Sequence, residues 1–329
     1  QSSLDDDKTQ ASLHFLIRLD DALQQSDDDI HEAVSYGLDG LLHKGQLPGG
    51  GFPQVWTDQP LKRDTAMLNS ASYPDEWPRE YSGHHLYWDR YTLNDNLAGD
   101  VAKVLILAEN VYGDAKYRDA FLRLADSLIR TQMPAPQPAW AQQYSDAMQP
   151  IWARKFEPPA ITTSESFDVI RTLMLCFAHT GQGKYLTPIP AALDYLESCR
   201  LADGQVARFY ELRTNRPLYF NRRYELTYGD DDMPTHYGFK LGDKTPSLRR
   251  QFEAIKKLTP SKRSAMVTKK RSADPKRVRQ ILASQDDRGA WVTDAGLRYY
   301  PKSDQPAGQQ VIEMDTTVKN LMELAAFLR

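Results

Sequence analysis

LLHKGQLPGGGFPQ (41–54), LIRTQMPAPQPAWAQQY (128–144), LESCRLADGQVARFY (196–210) and ILASQDDRGAWV (281–292) obey one pattern. Each ends an apolar helical run on a polar residue, Gln46, Gln132, Arg200 or Gln285, then turns, then sets an aromatic or aliphatic residue before a short exit. Successive polar residues are separated by about the length of two helices with their connections, which reads as a repeated helical hairpin. A second series marks helix starts: LDDDKTQASLHFLIRL (4–19), TLNDNLAGDVAKVLILA (92–108), TTSESFDVIRTLMLCFA (162–178) and MDTTVKNLMELAAFL (314–328). Asp, Asn, Ser or Thr precedes each apolar run, and N-capping is the ordinary reading of such residues because their side chains accept bonds from unpaired helix amides.

Working outward, Leu13, Leu16, Ile17, Leu19 and Leu23 recur at helical spacing, as do Val101, Val104, Leu105 and Ala108, then Phe121, Leu124, Ala125 and Leu128. Gly181 and Gly183 mark a helix stop and Pro275 a helix start. Roughly nine or ten helices are implied. Strand-like alternation is confined to 206–212 and 218–228. The expected fold is therefore all-α, an (α/α) toroid or barrel of helical hairpins with a small β-ribbon near 206–228. One catalytic domain is expected over 1–329, with an aromatic loop insertion at 57–91 and a basic, solvated helical insertion at 244–276.

Composition sets limits on function. The net charge of −3 argues against a nucleic-acid partner, since such domains carry a positive excess to displace phosphate counterions. No run of about 18 apolar residues exists to cross a membrane. Cys176 and Cys199 make no metal-type spacing, and either one bridge or two buried thiols fits them. The chain starts at Gln1 with no leader, which suits a mature or trimmed chain and a secreted or periplasmic location, working as a monomer. The 17 Tyr and 6 Trp suit a surface of rigid amphipathic contacts, as sugars require.

The usual chemical templates are missing. There is no GxSxG, HExxH, Walker loop or GxGxxG, and adjacent His84 and His85 are poorly arranged to reach one metal. Arginines beside aromatics and carboxylates are what stand out, in IWARKFEPP, VARFYELRTNRP and YFNRRYELTYG, supplying Arg154, Arg208, Arg216, Arg222 and Arg223. Guanidinium binds carboxylate in a fixed bidentate fork, so an acidic polymer is the natural partner. The competing reading is that Glu157, Glu211 or Glu225 pairs with each arginine to brace its loop. On such a scaffold, a glycoside hydrolase using Asp95 and Glu165, or a non-catalytic polysaccharide-binding protein, would also be consistent.

GGGFPQ, TLNDN, WARKFEPP and ARFYELRTNRP, in that order, resemble the pectate lyases of polysaccharide lyase family 10. The resemblance spans most of 7–222. It implies an α/α-toroid enzyme that cleaves polygalacturonate by β-elimination with help from Ca2+. It further implies Arg154 as the base taking the C5 proton, Asp95 as the acid near metal and substrate, and Arg208, Arg222 and Asp7 as substrate contacts. Arg216 is expected to brace its loop. The chain departs from the family where Arg222 is followed by Arg223–Tyr224 instead of Asp–Gly.

Overall fold

A computed structural model describes residues 2–58, 68–83, 86–268, 273–293 and 310–327. His84, His85 and residues 269–272 of the basic run lie outside these residues. Backbone contacts divide the chain into two compact units, Gln1–Val267 and Thr268–Arg329.

In the first unit, helices α1 (Lys8–Ala22), α3 (Leu97–Tyr112) and α5 (Thr163–Thr180) pack in succession as an inner row. Helices α2 (Asp28–Gly40), α4 (Ala115–Arg130) and α6 (Ile189–Ser198) each pair with the inner helix before them. Sequence explains the layering. α3 and α5 are buried around most of their circumference, whereas α4 buries one face, with Tyr117, Phe121, Leu124 and Leu128 as its large apolar side chains. Each fully buried large side chain of this kind contributes about 2 kcal/mol, so a helix with two apolar faces is stabilised most between neighbours. α7 (Thr245–Lys256) buries Leu248, Phe252 and Ile255 against α5 and α6. The first half of the segment read as a solvated insertion is thus part of the core.

The repeated turns obey one rule. The residue after each terminal polar group, Leu47, Met133, Leu201 or Asp286, donates its amide to the carbonyl of Gly51, Ala139, Gln205 or Ala290. Gln46, Gln132 and Gln285 clip the same turns by donating to Gly50, Pro138 and Gly289. Phe52, Trp140, Val206 and Trp291 then occupy the equivalent buried position. In the first repeat the backbone runs so close to its neighbours that a Cβ on Gly51 would lie 1.8 Å from the Tyr91 ring.

Short strands lead each turn back to an inner helix. β1 (Ser2–Ser3) pairs with β2 (Val55–Trp56), and β3 (Tyr91–Thr92) with β4 (Gln143–Tyr144). β5 (Ala160–Thr162) pairs with β7 (Phe209–Glu211), which continues through β8 (Pro217–Phe220) to β9 (Leu226–Thr227) in an antiparallel sheet. β6 (Gln205–Ala207) pairs with β10 (Lys240–Gly242). The ribbon expected near 206–228 is present, enlarged by β5 and β10.

In the second unit, α8 (Pro275–Ala283) packs on α9 (Met314–Phe327), and β11 (Val292–Thr293) pairs with β12 (Val311–Ile312). Among the described residues no helix is long and apolar enough to cross a membrane. Both cysteines are free and buried, which settles the alternatives left by their spacing.

Candidate active site

Two of the three outer helices have ordinary side-chain caps: at α2 Asp27 accepts from the amide of Ile30 and at α4 Asp114 from that of Lys116, while α6 starts on Pro188 without one. The inner helices have none. At α1, Asp6 (φ 50°) and Asp7 (φ 59°) are both left-handed, and at α3 so are Asp95 (φ 50°) and Asn96 (φ 57°), with no side-chain cap bond at either helix. The capping expected for these acids is therefore absent. Left-handed non-glycine backbone costs about 1–3 kcal/mol per residue, and two consecutive such steps at two equivalent helix starts point to a site.

Those steps turn three carboxylates together. Oxygens of Asp5, Asp6 and Asp95 lie within 4.8 Å of one another. Burial first, and then the charges of Asp6 and Asp5, push the Asp95 carboxyl up to about 6. Asn94 donates to Asp95 at 2.5 Å, while its own Oδ1 is buried without a partner. Three clustered carboxylates are hard oxygen donors, the kind a divalent cation such as Ca2+ takes. Asp7 stands outside this group. Its carboxyl is raised by burial and by Asp100.

The arginines form the facing half. Arg154 gives Nε (2.8 Å) and Nη2 (2.5 Å) to Glu157, whose side chain is 2% exposed. This bond raises the proton affinity of Arg154, so the guanidinium is held as a cation. Arg208 gives Nη1 to Ser164 Oγ (2.9 Å) and Nε to the Gly238 carbonyl (2.7 Å), and lies 3.7 Å from Glu165. Burial, opposed by Arg208, pushes Glu165 up to about 7. Among the described residues, neither Arg154 Nη1 nor Arg208 Nη2 has a protein acceptor, leaving one edge of each fork open. Asp95 feels the charges of both Arg208 and Glu157, and Tyr87 those of Arg154 and Asp5, so the acids and arginines share one electrostatic site.

The repeat explains how this site arose locally. Leu4, Leu93 and Thr163 donate their amides to the carbonyls of Gln54, Gln142 and Arg208 in turn. These three helix starts are therefore equivalent, and two residues on stand Asp6, Asp95 and Glu165. Arg208 occupies the position held by neutral glutamines in the other two repeats.

Other sequence-derived residues fare differently. Arg222 is 73% exposed, 3.2 Å from Asp232, and lines a cavity of about 440 Å³ with Pro234, Thr235 and His236. Arg216 stacks on Tyr228 at 3.3 Å, as a loop brace does, and Glu211 takes Arg79 rather than Arg208. From the 57–91 segment, Trp77 and Tyr81 pack on Trp152, whose Nε1 donates to the Pro78 carbonyl.

A family model for pectic acid lyase matches residues 1–207, well over half of the chain. The chain belongs to the pectic acid lyase family. As a member it is a polysaccharide lyase, and the family match includes the acid cluster and Arg154 and ends one residue before Arg208. Among solved structures, this pectic acid lyase family member resembles the family 10 polysaccharide lyase from Cellvibrio cellulosa, at 20% identity over 78% of this chain and 82% of that one, with a TM-score of 0.59. A mutant of the Cellvibrio enzyme in complex with trigalacturonic acid matches at 21% identity over 77% and 82%, also with a TM-score of 0.59. These likenesses support the helical-hairpin fold. A search of curated proteins finds no match.

Proposed function

We propose that this polysaccharide lyase cleaves polygalacturonate by Ca2+-assisted β-elimination. The observation that carries the reading is the pair Arg154 and Arg208, each anchored by a nearly buried glutamate with one N–H edge open, beside three clustered carboxylates. The trigalacturonic acid complex of the Cellvibrio enzyme points to the same class of substrate.

Removing the C5 proton builds negative charge on the uronate carboxylate; the electron pair then forms the C4=C5 double bond as the C4–O bond to the leaving sugar breaks, and the departing oxygen takes a proton from solvent. Groups that bind that growing charge lower the barrier because they hold the transition state more strongly than the ground state. Arg208, pinned on three sides, offers its open edge to the carboxylate. Asp5, Asp6 and Asp95 would hold Ca2+, which when bound supplies further positive charge at the uronate. Arg154 is the proposed base. Its bond to Glu157 opposes that role, because a base must first give up a proton that Glu157 helps it keep. Nearby cations, Arg208 and a bound Ca2+, favour the neutral form of Arg154, whereas a carboxylate beside it, like Glu157, keeps the proton on. Arg222, in its exposed cavity, and Asp7 are proposed as contacts to sugars away from the cleaved bond. A polymeric extracellular substrate fits a secreted or periplasmic enzyme.

Incubation with polygalacturonate and Ca2+ should produce the ultraviolet absorbance of an unsaturated uronide, abolished by EDTA. Absence of that product across alkaline pH refutes the proposal. New reducing ends without unsaturation would instead indicate hydrolysis by Asp95 and Glu165.

A further inference from the structure

Segment 237–239 lies beyond the residues matched by the family model, yet it holds Arg208 at three points. The Tyr237 ring lies 4.5 Å from the Arg208 guanidinium carbon, the Gly238 carbonyl accepts from Arg208 Nε at 2.7 Å, and the Phe239 carbonyl accepts from the Arg208 amide at 2.8 Å. The same tyrosine reaches the other arginine. Its hydroxyl donates to Glu157 Oε1 at 3.1 Å, the oxygen that also receives Arg154 Nη2. Its ring is packed by Phe156 at 4.9 Å and Phe239 at 5.3 Å, which fixes both the face and the edge.

We infer that Tyr237 is a positioning residue that sets Arg154 and Arg208 in register for one uronate: its face carries Arg208 and its hydroxyl shares the carboxylate that clamps Arg154. This inference rests on the proposed lyase reaction. The hydroxyl acts on Arg154 through Glu157, whereas the ring face lies 4.5 Å from the Arg208 guanidinium carbon and 5.9 Å from that of Arg154, so the hydroxyl's effect can be read apart from the ring's. Loss of the hydroxyl leaves Glu157 bonded to Arg154 alone, which tightens the clamp on the proposed base and should slow turnover. Loss of the ring removes the platform under Arg208 and should weaken the grip on substrate.

Tyr237→Phe keeps the ring and deletes one hydrogen bond; Tyr237→Leu deletes both. In the full-length protein with polygalacturonate and Ca2+, Tyr237→Phe should lower kcat about tenfold with KM within about twofold of wild type. Tyr237→Leu should lower kcat similarly and raise KM about fivefold or more. Trigalacturonate binding by calorimetry should weaken in Tyr237→Leu but not in Tyr237→Phe. Wild-type kcat in Tyr237→Phe, or activity losses in both variants that merely track a lowered melting temperature, overturns the inference while leaving the lyase reading intact. A wild-type protein that neither binds nor cleaves the polymer overturns both.

Discussion

At the scale of single residues, the site divides into groups that hold charge and groups that hold those groups. Arg154→Ala should reduce kcat/KM on polygalacturonate about a thousandfold, as loss of a proton-transfer group does, measurable by initial rates of unsaturated product. Arg208→Lys should not rescue Arg208→Ala, because an ammonium cannot keep Ser164 and Gly238 while offering a planar edge to substrate. Titration gives a second test. Asp95, held up at about 6, must lose its proton to bind a cation. The gain in melting temperature from Ca2+ should therefore be full above pH 7 and shrink as pH falls through about 6, and Asp95→Asn should remove it. Much of this was legible in sequence. Arg154, Arg208 and Asp95 announce themselves by short motifs, whereas three consecutive aspartates give no local clue to which one faces inward. The left-handed backbone decides it, bringing Asp5 and Asp6, not Asp7, to Asp95. Tyr237 was invisible because its role depends on β10 bringing a distant loop beside β6.

At the scale of elements, turn chemistry was the most readable feature, since a glutamine that clips its own turn leaves a local pattern. The strands of two or three residues were not, because such pieces are too short to show alternation and exist only through their partners. The capping expected at the starts of α1 and α3 is absent, and the acids there turn toward the site instead. Substitution at the closest backbone approach tests the turn. Gly51→Ala would drive a methyl into the Tyr91 ring and should cost about 3 kcal/mol in denaturant unfolding. Glu165, at the start of α5, links element to solvent. Its carboxyl rises from the ordinary 4.5 to about 7, so in that window the folded state binds a proton that the unfolded chain has released. Folded stability should fall as pH rises from about 5 to about 7, and Glu165→Gln should flatten the profile, read by denaturation in EDTA.

At the scale of the whole molecule, all the residues of the candidate site lie in the unit Gln1–Val267. Limited proteolysis that removes residues beyond that unit should leave a fragment still stabilised by Ca2+, and loss of that response in a folded fragment would contradict the assignment. The repeat also offers an internal control. Gln54, Gln142 and Arg208 present one backbone environment three times in a single chain, with an amide twice and a cation once. Because Gln54 also donates to Asp5 of the acid cluster, Gln142→Ala is the measure of what the scaffold asks of that position, and whatever Arg208→Ala loses beyond it belongs to the chemistry.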